Sequence, residues 1–580
     1  MKNIKVKSSR RKFIANLAKI AALSSSVSTI KSFGFNSVNA LQLPNFPNGI
    51  VPYLEKFENW SGEVKARALW TYAPKNSLEI LQIVNWAKNN NYKVRPKGKM
   101  HNWSPLTIAN GIDVSSRVIL IDTKPYLNKV KIDKSQFPSK VTAETGISME
   151  NLLNALEEQD LGLTVTPAPG ELTLGGVLAI NGHGSAVAAA NENSLSLGHS
   201  YGSLSNLIIS LTAIVLDNES NKYILKKFER SEPNCQAFLV HLGRAFITEV
   251  TLQVGKNQRM RCQSIIGIPA SEIFGKEEVS KFSFAKLVEK NGRVEAIWFP
   301  FTDKPWIKVW SVTDEQKPKA SREVKSPYNY PFSDNLCDEL AKMIKTIISG
   351  KTSITPQFGK LEYFITAGGL EYNQSFDIWG WSKNVLLYVK PSTLRVTESG
   401  YVVLTKRSNI QRVLNEFYTY YNYLIEKYRE RSIYPINGPV EIRVTGLEES
   451  DDIINTSALP PLLSSLKKNS KYSEWDVGIW LNILTFPGTP YSNEFYMNIE
   501  QWIFANYSEP YAAVRVEWSK GWAFERNSVW KNKLFIENQI SKSFYSEIAP
   551  VSDLELASAI YQKYDPYHIF SSPLIESLKI

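Results

Sequence analysis

Two glycine-bearing loops, in fixed order and roughly eighty residues apart, constrain this chain more than any other feature. The first is Gly98-Lys99-Met100-His101-Asn102-Trp103, which follows a short strand at residues 92–95. The second is PAPGELTLGGVLAINGHGSA, which carries Gly170, Gly175, Gly176 and then Asn181-Gly182-His183-Gly184. A glycine beside a strand end lets backbone approach a ligand closely. Successive loop N–H groups then form a cradle for a pyrophosphate. A single cluster of this kind is also an ordinary turn, whereas an ordered pair supplies two walls of one cleft.

The elements around the loops read as α+β. Asn76-Ser77-Leu78-Glu79 is a capping box, and Leu78, Leu81, Ile83, Val84 and Trp86 line the helix face that follows it. Strands are expected at 118–122 and 141–144, with a helix at 149–158 that Gly162 stops. Further strands fall near 207–216, 223–225 and 247–254, the last a clean alternation, ITEVTLQV. Beyond about residue 255 the strands RVEAIWFPF, VLLYV and VEIRVTG alternate with helices at 409–428 and 493–507. Residues 315–334 read as a long Lys-, Ser- and Pro-rich loop. Eleven of the 15 Trp lie beyond residue 255, which places an apolar substrate pocket in the second half.

The ends and the composition narrow the function class. Lys2, Lys5 and Lys7 precede Ser9-Arg10-Arg11-Lys12-Phe13-Ile14, an Ala- and Ser-rich stretch follows, and Val38-Asn39-Ala40 offers a cleavage site. Residues 1–40 thus look like a twin-arginine signal, and the protein is expected to be exported. No other stretch is apolar enough to span a membrane. Cys235, Cys262 and Cys337 have neither disulfide-framework nor metal spacing, so no metal is expected. The net charge of +11 is spread along the chain without a nucleic-acid module, so no nucleic-acid partner is expected. A basic face meeting anionic lipid in transient contact fits better.

The order of landmarks resembles the FAD-binding domain of the vanillyl-alcohol oxidase, or PCMH, flavoprotein family. It comprises the Gly98 loop, the Gly170–Gly184 loop and Arg244-Ala245-Phe246-Ile247-Thr248-Glu249-Val250. The tail Tyr564-Asp565-Pro566-Tyr567-His568-Ile569-Phe570 resembles the segment that returns to that domain. The strings MHNWSPL, EAIWFPFT, GPVEIRVTG and EWSKGW further resemble the type II, covalent-FAD bacterial cholesterol oxidases. The resemblance implies a two-subdomain PCMH-type FAD-binding domain at 60–255. It also implies a substrate domain on a mixed or antiparallel sheet with flanking helices at 256–550, and a returning segment at 551–580.

It also implies a flavin joined to His101, which alone of five histidines lies in the first loop, with His183 as runner-up. A neutral imidazole nitrogen can attack the activated flavin methyl. The second loop carries no Cys for a second link. The cofactor-binding set is Gly98, Lys99, Met100, His101, Asn102, Gly170, Gly175, Gly176, Asn181, Gly182, His183, Gly184 and Val250. Glu295, Glu441, Arg443, Asn482 and Lys520 are the implied catalytic positions. Period two puts Glu441 and Arg443 on one strand face, and puts Glu295 with Ile297 and Phe299. A carboxylate among apolar groups is poised to act as a base. On pattern alone these charges better suit the solvent face of a strand; the resemblance makes them site residues.

The implied reaction is oxidation of a 3β-hydroxysteroid by dioxygen, releasing hydrogen peroxide, with Δ5 to Δ4 isomerisation. A four-ring sterol gains about 25 cal/mol per Å² on burial, so an apolar cavity selects it. Two alternatives stay open: a related oxidase of a sugar, alditol or aromatic alcohol, and a non-catalytic sterol- or membrane-binding protein on a flavin fold.

Overall fold

Backbone pairing sorts the described residues into three sheets. The computed structural model describes residues 43–190, 192, 198–276, 282–333, 338–453, 457–545 and 551–580. The leader at 1–40, Cys337 and the last residue of the 315–334 loop lie outside the described residues.

The first sheet runs β1 (Tyr53–Glu58), β2 (Lys65–Tyr72), β4 (Val118–Asp122), β3 (Lys93–Lys97), with β2, β4 and β3 parallel. The helix Ser77–Asn90 connects β2 to β3. Its cap is Asn76, whose side chain accepts from the N–H groups of Leu78 and Glu79. Glu79 does not close the box: it accepts instead from Lys75 N and the Tyr72 hydroxyl. The buried face is Ile80, Ile83, Val84, Trp86 and Ala87, whereas Leu78 points to solvent at 60% exposure. In the first turn, capping rather than the apolar stripe sets the orientation.

The second sheet is antiparallel: β5 (Val130–Asp133), β6 (Ser139–Glu144), β10 (Phe246–Lys256), β8 (Ile208–Asp217), β9 (Lys222–Glu229), with β7 (Leu161–Gly162) pairing β10. The helix Met149–Glu157 packs on it, and the turn after that helix is made at Asp160, in the left-handed region at φ +59°. Gly162 is therefore a strand residue and not the helix stop; its missing side chain makes room for Asn257.

The third sheet has nine strands in the order β14, β15, β11, β13, β12, β17, β18, β16, β19. These are β11 (Arg259–Ile265), β12 (Arg293–Trp298), β13 (Trp306–Thr313), β14 (Arg322–Glu323), β15 (Asp377–Trp381), β16 (Thr397–Thr405), β17 (Val440–Gly446), β18 (Val477–Thr485) and β19 (Ala513–Val516). One face, with Val440, Ile442, Val444, Ile479 and Leu481, joins the main core with Val413, Leu414 and Phe417 of the helix Ile410–Glu430. VLLYV is not the strand its composition suggests: Ser382–Leu386 is helical, and only Val389 bridges, to Pro169.

Residues 46–580 form one body. The C-terminal segment packs on the first two sheets: Ile569 O accepts from Val94 N, and the Tyr561 hydroxyl reaches Ala237 O. Buried Asp565 accepts from Arg244, the Tyr223 hydroxyl and the N–H groups of Ile569 and Phe570. Removing one partner of such a buried pair costs about 3–5 kcal/mol. No helix among the described residues is long and apolar enough to cross a membrane.

His199 is buried, with Nε2 2.9 Å from Lys256 O, and burial pushes it down to about 4. The unfolded chain, with His near 6.5, therefore binds more protons as pH falls. Stability from this group is complete above about 6.5 and is lost toward pH 4. Urea unfolding at pH 6.5 and 4.5 should show His199→Gln losing about 1–3 kcal/mol less than the wild type.

Candidate active site

At the end of β3 the chain turns at Gly98, where a Cβ would come 2.2 Å from Thr173 Oγ1. The two glycine loops touch here, and only glycine permits it. Gly175 presses on Thr145 in the same way, at 2.9 Å. Between the loops lies a cleft of about 910 Å³, lined by Gly98, Lys99, Met100, His101, Asn102, Gly175 and Gly176, with His241, Leu242 and Gly243 opposite. Met100 adopts φ +60°. Among the described residues, the N–H groups of Lys99 to Asn102 donate to no protein acceptor. A row of free amides in a side-chain-poor cleft suits the pyrophosphate of a dinucleotide.

His101 also lines a second, larger cavity of about 1610 Å³. Its ring stacks on Trp60, with centroids 4.6 Å apart and planes at 26°. Nδ1 is buried without a hydrogen bond, 3.9 Å from Glu171, which Lys99 holds at 2.6 Å. Burial pushes the imidazole down, so the ring is neutral near pH 7.

The second cavity is walled by one face of the nine-stranded sheet. Register fixes what that face carries. Lys308, Glu295, Arg443 and Trp480 lie in one cross-strand row over β13, β12, β17 and β18. The next row is Ile297, Glu441, Asn482 and Gly400, ending on β16. Residues directly opposite share a face, so the polar groups converge.

They are linked into a chain. The Tyr388 hydroxyl donates to both oxygens of Glu295, at 2.9 and 2.8 Å, and Lys308 Nζ lies 3.6 Å away. Glu295 thus has a cation and a hydroxyl beside it, and is not a carboxylate among apolar groups alone. Glu441 sits 3.6 Å from Arg443, which donates to Asn482 Oδ1 at 3.1 Å. Asn482 donates to Glu517 at 2.6 Å, and Lys520 to Glu398 at 2.6 Å. Glu517 also lies 3.9 Å from both His183 and Lys520. Lys520 stands 3.7 Å over Trp103, and His183 stacks on Trp480 at 3.8 Å.

Burial pushes Glu441 up and Glu398 up to about 7, against Arg443 and Lys520 respectively. Burial opposes the Glu517 charge too, yet Lys520 and Arg443 hold it below the usual range. Burial takes His183 down to about 4, so it is neutral at working pH. The apolar remainder of the wall includes Trp480, Trp518, Phe299, Leu340, Leu394 and Leu484. A single cavity therefore offers a hydrophobic bed, a charged row along one side, and a histidine shared with the dinucleotide cleft.

A family model for the substrate-binding domain of cholesterol oxidase matches residues 259–579, and an FAD-binding domain model matches residues 69–217. The chain belongs to the cholesterol oxidase family. It is similar to a solvent-stable cholesterol oxidase, at 50% identity and a TM-score of 0.91 over 93% of this chain and 100% of the other. The cholesterol oxidase of Brevibacterium sterolicum is similar at 41% identity, with a TM-score of 0.90 over 93% and 99%. Curated relatives include L-gulonolactone oxidase of Mus musculus, 26% identical over 200 residues, 34% of this chain and 40% of that protein. L-galactono-1,4-lactone dehydrogenase of Brassica oleracea is 22% identical over 276 residues, 47% and 41% of the two chains. The chain thus spans about 40% of the length of these curated relatives. The FAD-binding match and the free amides agree on the same cofactor, which the cleft between the glycine loops would hold.

Not every anticipated residue reaches a cavity. Asn181, Gly182 and His183 line the larger one and not the dinucleotide cleft. Gly170, Gly184 and Val250 line neither. Gly170 keeps its loop against Glu150 and Leu387, Gly184 keeps it against Thr166 O, and Val250 is core. Asn482 lies behind the wall, joining Arg443 to Glu517. Sequence reasoning passed over Lys308, Tyr388, Glu398 and Glu517. Lys308 had a signal: in WIKVWSVT it shares a face with Trp306 and Trp310, a lone cation between aromatics. Glu517 opens the EWSKGW string itself.

Gly400 leaves the space these groups need: a Cβ there would lie 2.7 Å from Asn482 and Lys520 and 2.8 Å from Glu517. Gly400→Val should lower kcat/KM by about a hundredfold, or about 2.7 kcal/mol of transition-state stabilisation, with near-unchanged circular dichroism.

Proposed function

We propose that the protein oxidises the 3β-hydroxyl of a sterol such as cholesterol to the ketone, with dioxygen as acceptor and hydrogen peroxide as product, and then shifts the Δ5 double bond to Δ4. The carrying observation is the shared His101 wall: the dinucleotide cleft and an apolar cavity with a charged row along one side are both lined by this residue. FAD, when bound, accepts the hydride from the carbinol carbon and passes the electrons to dioxygen.

The residues supply the rest. Arg443 and Lys520 stabilise negative charge on the sterol oxygen as its proton leaves. Glu441, pushed up by burial, suits the base that takes that proton. Glu295 carries a proton from C4 to C6: the C4–H bond breaks, the 5,6 double bond moves to 4,5, and the same proton forms the new bond at C6. The neutral ring of His101, whose Nδ1 makes no hydrogen bond, supports a covalent bond to the flavin methyl group.

With purified holoenzyme, peroxide should form rapidly with cholesterol and at least about a hundredfold more slowly with L-gulonolactone, alditols or benzyl alcohol. Comparable rates would refute the sterol reading. Acid-precipitated protein should stay yellow, and His101→Ala should release the flavin. Glu295→Gln should accumulate cholest-5-en-3-one; an unchanged product ratio removes that residue from the isomerisation.

Two further readings concern place. The paired arginines of residues 1–40 support export of the folded protein. Exposed Ile348, Phe364 and Tyr372 lie on the helices Asp338–Ile348 and Thr355–Tyr372, whose Leu340 and Glu362 line the sterol cavity. They support transient contact with a membrane where sterol enters. Flotation with anionic, cholesterol-bearing vesicles should carry the protein up, and Phe364→Glu should weaken this; no flotation would exclude the contact.

A further inference from the structure

Lys308 is fully buried on β13, yet its Nζ makes no hydrogen bond. Four rings surround it: Tyr388 at 2.9 Å from the ring centroid, Trp310 at 4.8 Å, Tyr330 at 4.9 Å and Trp306 at 5.2 Å. The nearest anion is Glu295, 3.6 Å away. Tyr388 is thus shared: its ring faces the Lys308 ammonium while its hydroxyl donates to both oxygens of Glu295.

An ammonium buried without hydrogen bonds is costly unless an anion and ring faces compensate it. Every part of this cage therefore bears on the charge of Glu295. Protonating Glu295 strips Lys308 of its nearest anion and leaves it only the rings. The other ionisable groups facing the pair are Cys262 and Tyr330, behind Lys308, and Glu441 and Arg443 on β17. Arg443 lies directly across from Glu295 and serves the sterol oxygen; Lys308 has no line to the cavity through its ring cage and does not line it.

We propose that Lys308 and its aromatic cage are positioning residues for the isomerisation step, holding Glu295 as an anion ready to take the C4 proton and favouring its prompt return at C6. This rests on the reading of Glu295 as the proton carrier. No further reactant is involved, since the proton only moves from C4 to carboxylate to C6.

The test uses flavin-loaded enzyme and two assays: peroxide from cholesterol, and conversion of preformed cholest-5-en-3-one to the conjugated ketone. Lys308→Met should cut the second by about tenfold or more at neutral pH and move its acid limb up by about one pH unit. Peroxide formation should fall less, and Lys308→Arg should restore the limb in part. Tyr388→Phe, which keeps the cage and removes one hydroxyl, should move the limb the same way and covers the case in which Lys308→Met fails to take up flavin. An acid limb that stays in place in flavin-loaded variants overturns the proposal. If Glu295→Gln abolishes isomerisation while those limbs stay fixed, only the role of Lys308 falls. If Glu295→Gln isomerises normally, the reading beneath it falls.

Discussion

Charge buried without water must be paired, and the substrate side of this molecule is organised by that rule. Isolated buried ions cost several kcal/mol each, and pairing offsets this only with good geometry and further hydrogen bonds. The nine-stranded sheet brings Lys308, Glu295, Arg443 and, through Asn482, Glu517 into one alternation of sign across β13, β12, β17 and β18. Lys520 and Glu398 close it from β16 and the loop beyond β19. The members come from five strands and, for Glu517 and Lys520, the one loop beyond β19, so the pairing depends on register. A slip of one residue at β17 would turn Glu441 and Arg443 into the core that Val440, Ile442 and Val444 now fill. The hydrophobic face therefore enforces the polar face.

This explains which parts of the site were legible in the sequence. Strand alternation in RVEAIWFPF and VEIRVTG placed Glu441 and Arg443 on one face, because period two is a local property of each strand, while the family resemblance, not the pattern, marked them and Glu295 as site residues. The glycine loops were legible because close backbone approach demands glycine wherever it occurs. The partners were not. Nothing in TESGYVVLT announces that Glu398 will meet a lysine 122 positions later, since that contact is made by strand order, not by spacing. Gly400 is read locally as a weak strand residue, yet it is there for three side chains from elsewhere. VLLYV misleads for the opposite reason. Its composition favours a strand, but the chain makes a helical turn from Ser382 and only Val389 bridges, to Pro169, which lies in no strand.

The dinucleotide cleft and the sterol cavity are separate concavities that share one residue of consequence. His101 stands in both walls, fixed by Trp60 on one face and approached by Glu171 and Lys99 at its edge. Trp103, two residues on, is held by its indole N–H on Val396 O and its backbone N–H on Ser519 O, and it carries Lys520 over its ring. The first glycine loop thus binds one end of the FAD cleft and positions a cation of the substrate cavity. A change in that loop reaches both sites through two side chains.

On the roles proposed for Arg443 and Glu295, register would also let oxidation and isomerisation share one cavity. The carbinol carbon C3 and the proton-exchanging carbons C4 and C6 belong to the first two rings of the sterol, so the group steadying the oxygen and the group moving the proton must be close neighbours. Adjacent strands lie about 4.8 Å apart, and Arg443 and Glu295 are directly paired across β17 and β12. One interstrand step separates the two roles. Placing them on neighbouring strands lets each keep its own counter-group, Glu441 for the guanidinium and Lys308 for the carboxylate.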